Sequence, residues 1–131
     1  MKYLSDYTEQ ANSELFEKTG AFFAFGNKQF EEQKKDGVKY VSLGAGLICP
    51  KGKAKEIFKG LDESRKKGIE LDLKENGKEN IIRRELGNHE TQITMDCSTV
   101  IDVLKDYGIS EIEIKAGFQF FYQECVKNDW F

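Results

Sequence analysis

The chain has one proline, one histidine and one tryptophan among its 131 residues. Each scarcity excludes something. With Pro50 as the only proline, little interrupts a helix by removing a backbone N–H donor. With His89 as the only histidine, a zinc site would have to be completed by cysteines or carboxylates, because zinc takes three or four protein ligands in a tetrahedral array. The HExxH pattern of zinc proteases fails here, since Ile93 stands where the second histidine would be. The three cysteines, Cys49, Cys97 and Cys125, are odd in number and lack CxxC spacing. That argues against both a disulfide framework and a zinc knuckle, and the expectation is reduced thiols in a cytoplasmic protein. No apolar run approaches the roughly 18 residues that span a bilayer, so no membrane partner is expected. The opening MKYLSDYTEQ has no hydrophobic signal core. There is no GxxxxGK[ST] phosphate loop, no internal repeat and no low-complexity linker, and no cofactor is expected.

What is present is an ordinary mixture of 39% hydrophobic and 33% charged residues, suited to one soluble domain over residues 1–131. The net charge of −3 is unevenly spread. Residues 1–50 carry a balance of −1, residues 51–84 of +4 and residues 85–131 of −6. The basic middle contains Lys51, Lys53, Lys55, Lys59, Arg65, Lys66 and Lys67. These residues could meet nucleic acid, pair with the acidic end inside the fold, or pair between two copies in a homo-oligomer. Their spacing among glutamates reads first as a solvated helix face.

The most continuous apolar run is Val38–Pro50, VKYVSLGAGLICP. Its alternation predicts a strand with apolar groups on both faces, covered by helices on one side and partly on the other. Gly44-Ala45-Gly46 interrupts it. Glycines in a strand pattern mark a bulge, a bend or the close approach of another backbone. The bland reading is a kink for helix packing; the functional one is a flat platform for a ligand or a partner chain.

Before this run, Tyr7, Ala11 and Leu15, with Phe16, form a helical stripe over residues 6–18, stopped by Gly20. AFFAF at residues 21–25 is a strand pairing with residues 38–43 or the entry to a helix. Asn27 is a candidate N-cap for Lys28–Lys35, and Asp36-Gly37 makes a turn. After Pro50, Ala54, Ile57, Phe58 and Leu61 share a helix face, with Gly60 inside the helix and Gly68 as its terminator. Residues 69–82 are either a hairpin about Asn76-Gly77 or, as favoured here, a short helix broken at Gly77 and followed by a second helix from about Lys78 to Thr91. That second helix aligns Ile82, Leu86, His89 and Ile93.

Further on, Val100, Ile101, Leu104 and Tyr107 form a stripe closed by Gly108. Ser110 with Glu113 is a capping box opening a helix whose Ile114, Phe118, Phe121, Tyr122 and Cys125 face the core. Trp130 and Phe131 either dock on the core or form an anchor for a partner.

The one place where chemistry is conceivable is ELGNHE, residues 85–90. Glu85 and His89, at i and i+4, share a helix face and are the candidate metal ligands, with Asp96 and Cys97 further along. A hydrolase reading centres on His89, Glu90 and Glu85. A nucleophile pair of Cys97 or Cys49 with His89 has no local support. The bland reading is a partly buried histidine bonded to a neighbouring carboxylate or carbonyl.

FAFGNKQFEE, YVSLGAGLICPK and IIRRELGNHETQITMD together resemble a family of small uncharacterised proteins of bacterial and phage genomes. The resemblance covers most of residues 20–110 and carries no assigned activity. It implies an accessory protein acting in the bacterial cytoplasm, with Gly44, Ala45, Gly46, Asn88, His89 and Glu90 as the candidate functional surface. The expected fold is α+β, mostly helical, with a small sheet built on residues 38–48. The expected function is a non-enzymatic binding or adaptor protein whose partner is another protein.

Overall fold

A computed structural model describes residues 1–131. The fold class is α+β: the chain is 69% helical, with one three-stranded antiparallel sheet. Two compact units are distinguished, Leu4–Gly68 and a second made of Met1–Tyr3 with Ile69–Phe131.

In the first unit, α1 (Leu4–Thr19) is followed by β1 (Phe22–Phe23), α2 (Asn27–Gln33), β2 (Tyr40–Gly44) and β3 (Leu47–Pro50), and then by the opening turns of α3 (Ala54–Asn88). Gly20 ends α1 with a positive φ, as expected of a C′ glycine. The stripe of α1 is shifted from the expected one, because Ala11 is exposed while Asn12, Leu15, Phe16 and Thr19 turn inward.

Residues 38–50 form a hairpin, not a single bent strand. Gly44 pairs with Leu47, which leaves Ala45 and Gly46 as a two-residue turn. Both have positive φ, the conformation that matches the twist of the flanking strands. A bulge between Ser42 and Gly44 puts the third positive φ of this run at Gly44. β1 pairs with β3, Phe22 opposite Ile48, and not with residues 38–43. The residue at the N-cap of α2 is Gly26, and Asn27 is the first residue of the helix. Its cap-like bond comes from elsewhere, with the Phe25 N–H donating to Gln29 Oε1 at 2.7 Å.

Leu47, Cys49 and Ile57 form the core of this unit, ringed by Phe16, Ala21, Val41, Leu43, Ala54 and Leu61. Phe58 does not join it and is 55% exposed. Gly68 does not terminate a helix. With Gly60 and Ser64 it makes a small-residue line at i, i+4 and i+8 on α3. A Cβ at Gly60 would stand 2.7 Å from Leu15 Cδ1, and one at Gly68 2.7 Å from Thr8 Cγ2. The two glycines therefore let α1 approach closely, which offsets their cost to helix propensity.

In the second unit, residues 69–82 are helical, which settles the hairpin alternative. Gly77 alone is non-helical, with φ 75° and ψ 158°, so α3 is broken where expected. The helix ends at Asn88, short of Thr91, because Glu90 takes the left-handed conformation. That break removes Ile93 from the line of Ile82 and Leu86 and leaves it exposed. α4 (Thr91–Thr94), α5 (Ser98–Leu104), a 3₁₀ turn (Lys105–Tyr107) and α6 (Glu111–Asn128) follow. Gly108 closes the 3₁₀ turn with φ 71°. Ser110 and Glu113 form the expected capping box, each side chain bonding the other's backbone N–H. The core holds Ile81, Ile82, Leu86, Val100, Leu104, Tyr107, Ile109, Ile114, Phe121 and Cys125.

Candidate functional site

The densest concentration of ionisable groups lies in the second unit and is organised by the Gly77 break. On an unbroken helix, residues twelve apart are separated by about 18 Å of rise. Asp72 and Arg84 nevertheless meet, with Arg84 Nη1 donating to Asp72 Oδ1 at 2.9 Å and Nη2 to Oδ2 at 3.0 Å. The chain after Gly77 thus folds back towards the segment before it. Tyr107 Oη donates to Asp72 Oδ2 at 2.6 Å, and Asn76 Nδ2 to Oδ1 at 2.8 Å. Asp72 is fully buried, so each of its oxygens takes two bonds in place of water.

The guanidinium is equally occupied. Arg84 Nε donates to Glu85 Oε1 at 3.0 Å, Nη1 also donates to the Lys2 carbonyl at 2.9 Å, and Nη2 lies 3.0 Å from Glu85 Oε1. The Tyr3 ring stands over the group at 5.5 Å, within cation–π reach. Burial by itself would push the Asp72 carboxyl up, but the bonds from Arg84, Tyr107 and Asn76 hold it below the usual carboxylate range. Burial opposes the charge on Arg84, and its bonds to Asp72 and Glu85 more than restore it. Burial and the bond to Asp72 push the Tyr107 hydroxyl well above its ordinary value. The cluster is a saturated ion-pair network that ties the N-terminal residues and the Tyr107 turn to α3.

His89 sits at its margin, with Nε2 3.4 Å from Glu85 Oε2. The expected i, i+4 pair is therefore formed, but Glu85 is shared with Arg84. No group of three or more His, Cys, Asp or Glu residues is arranged to hold a metal ion. Asn88 and Glu90 line an open groove of about 660 Å³ with Met1, Tyr3, Arg83, Arg84 and Trp130, so the groove borders the network at Arg84 and Tyr3. The backbone around Glu90 is strained, with positive φ there and at Met95 at either end of α4. Thr91 is fully buried, with Oγ1 lacking a hydrogen-bond partner in the protein.

The three cysteines are free thiols. Burial pushes the thiols of Cys49, Cys97 and Cys125 up, away from the reactive thiolate.

Gly44, Ala45 and Gly46 belong to the other unit and serve a different geometry. The Phe25 ring lies over Gly46, where a Cβ would stand 2.4 Å from Phe25 Cε1. The Ala24 N–H donates to the Gly46 carbonyl at 2.8 Å, which holds the two segments together. Phe23 and Phe25 are nearly parallel, with centroids 6.2 Å apart, and Phe23 meets Phe16 edge-on at 5.6 Å. Phe25 is 75% exposed and Phe23 46%. A second aromatic group, Phe22, Phe30 and Tyr40, is joined by three ring contacts. Tyr40 Oη accepts from the Lys35 N–H at 3.0 Å.

Of the basic residues 51–67, Lys53 pairs with Glu56 and Lys66 with Asp62 at helix spacing. Lys55 and Lys59 flank the exposed Phe58 along the chain.

Sequence reasoning did not find Asp72 or Arg84 and took Tyr107 only as a core position. No helical period links residues twelve apart. The one available signal was the glycine between them. No helix is long and apolar enough to cross a membrane. No curated protein and no solved structure matches the chain. A family model matches residues 4–127, nearly the whole length. The chain is thereby a member of a family of unknown function, DUF7659.

Proposed function

We propose that the chain is a non-enzymatic binding protein that engages another protein through the hairpin platform of its Leu4–Gly68 unit, in the cytoplasm of a bacterial cell and as an accessory factor of phage or mobile-element type. The observation that carries this reading is the Phe25 ring, largely exposed yet seated on Gly46 and aligned with Phe23. Large apolar rings usually gain by burial, on the order of 25 cal/mol per Å². A ring held rigidly in the open loses little rotamer freedom when a partner covers it, which favours binding. Aromatic anchors of this kind dominate protein interfaces. The groups suited to acid–base work support the same reading, since Asp72, Arg84, Glu85 and Tyr107 are bonded to one another. A hydrolase centred on His89, Glu90 and Glu85 is less favoured, because Glu90 lines a groove while His89 bonds back to Glu85.

A second reading, nucleic-acid binding by residues 51–67, draws on Phe58, exposed between Lys55 and Lys59. Basic faces with interleaved aromatics suit single strands.

The test places a photo-crosslinking phenylalanine at position 25 and, as a control, at the exposed position 93. In cells of the source organism, position 25 is expected to give one defined protein adduct that position 93 does not. Phe25→Ser should abolish capture of that protein by the purified chain while leaving the circular dichroism melt unchanged. No adduct at position 25, or capture indifferent to Phe25→Ser, defeats the reading. Binding of a labelled single-stranded oligonucleotide that weakens steeply from 50 to 200 mM salt, on the order of the loss seen for phosphate-contacting proteins, would put the second reading first.

A further inference from the structure

We propose that the chain self-associates as a two-fold dimer through α6, the Phe120 ring of each copy seating in a groove of the other. This surface lies in the Ile69–Phe131 unit and is independent of the hairpin platform. Between α6 and the part of α3 after Gly77 runs a groove of about 710 Å³. Its apolar lining is Ile82, Ala116, Gly117, Phe120 and Phe121. Position 117 has no side chain, and Ile82 packs into its place, since a Cβ there would stand 2.9 Å from Ile82 Cγ2.

Phe120, 76% exposed, projects at the edge of this groove, and Ile112, 81% exposed, extends the same uncovered apolar line through Ala116. One surface therefore carries both a projecting ring and a cavity able to take one. That is the self-complementarity an isologous contact requires.

The charges select the occupant. Glu113, Phe120 and Lys127 are spaced by seven residues, so they lie nearly in line along α6, and Ala116 and Gln123 fill the intervening positions. All five side chains are exposed. This is a narrow seam of the coiled-coil kind, acidic at one end, basic at the other and aromatic at its centre. Two copies meeting antiparallel about Phe120 set Glu113 against the partner's Lys127 on both sides of the axis. A parallel pairing would oppose like charges. The groove rims repeat the pattern, with Lys78 and Arg83 from α3 facing Glu113 and Glu124 from α6, and the pairs Lys78–Glu113 and Arg83–Glu124 already formed within one copy. A foreign helix would need the same mixed charge order, which a second copy supplies by symmetry.

Sedimentation velocity from about 1 to 100 μM tests this at concentrations typical of moderate dimers. The full chain should pass from monomer to dimer over that range and form nothing larger, since a two-fold contact closes. Phe120→Ser should weaken dimerisation about tenfold or more, as loss of a central aromatic anchor does. Lys127→Glu, at an exposed position where folding is not at risk, should weaken it as well. Circular dichroism melts of both variants at low concentration should match the parent. A chain still monomeric at the top of the range overturns the proposal. So does a dimer indifferent to Phe120→Ser, which would use another face. A dimer weakened by Phe120→Ser but indifferent to Lys127→Glu overturns the antiparallel seam.

Discussion

Arg84 grips Asp72 through two parallel bonds, 2.9 and 3.0 Å, across a break in a single helical segment. The pair is buried, bidentate and joined by Tyr107 and Asn76. It is the point at which the turn at Gly77, the N-terminal residues and the Tyr107 turn are held in one arrangement. A buried ion pair is not in itself a large source of stability, because desolvation of both charges offsets much of their attraction. Its asymmetry is what matters. Losing one partner strands the other in a place without water.

Arg84→Met is therefore expected to destabilise the protein by roughly 3–5 kcal/mol, and Asp72→Leu by a similar amount. The double variant Asp72→Leu with Arg84→Met should recover part of that loss, since the two facing charges leave together while Glu85 keeps only His89 beside it. Urea unfolding followed by circular dichroism measures all three. A double variant as unstable as the sum of the single ones would show that Asp72 and Arg84 are not energetically coupled.

The same cluster sets a pH profile. The carboxyl of Asp72 is lowered in the folded state, so its contribution is fully present above the ordinary carboxylate range near pH 4 and is lost as pH falls through the folded value. Tyr107 is raised, so its contribution is fully present below about pH 10 and is lost as pH rises towards the folded value. Tyr107→Phe should flatten the alkaline limb and make the acid limb shallower without abolishing it, because Arg84 and Asn76 still hold the Asp72 carboxyl down, read from urea midpoints between pH 2 and 11. An unchanged alkaline limb in that variant would rule out Tyr107 as its source.

Gly77 combines φ 75° with ψ 158°, a region in practice restricted to glycine, and nothing lies within 4 Å of where a Cβ would be. The penalty for Gly77→Ala is thus conformational and not steric. We expect a loss of about 1–3 kcal/mol despite alanine's better helix propensity. Should Gly77→Ala stabilise the protein, the break would not be a requirement of the fold.

Neighbours on α6 should behave oppositely. Phe121 is buried, and Phe121→Ala is expected to cost roughly 3–5 kcal/mol. Phe120 is exposed, and Phe120→Ala at low concentration should fall within about 0.5 kcal/mol of the parent. Thermal melts of the two variants side by side make the comparison, and equal destabilisation would contradict the facing of this helix.

The thiols give a check on burial. Cys49 and Cys125 are buried and Cys97 is partly so. Alkylation of the native protein should modify Cys97 first, with Cys49 and Cys125 reacting only on unfolding, as mass spectrometry of timed samples would record. Rapid native labelling of Cys49 would place it outside the core assigned to it.

Much of this architecture was legible in the residues themselves. The capping box of Ser110 and Glu113, the stops at Gly20 and Gly108, the break at Gly77 and the inward line of Val100, Leu104 and Tyr107 all depend on groups a few positions apart. Such features follow from backbone geometry and helix period, which the sequence carries locally. The candidate site was legible only in part. Glu85 and His89 were found because four residues make one helical turn, whereas Asp72 and Arg84 meet only because the chain reverses between them.

The same distinction separates the glycines. Gly77 reads as a break from its neighbours, but Gly68 reads as a terminator and is instead the point where α1 comes close. Gly46 reads as a bend and is also the seat of the Phe25 ring. A glycine's conformational freedom is a local property, and its missing side chain is a space whose use depends on what the fold brings there. The sequence thus determined most of the helices, the Ser110–Glu113 cap and the mixed α+β class. Which charges are paired and which rings are left uncovered were decided by tertiary packing, because those contacts join residues that no local period connects.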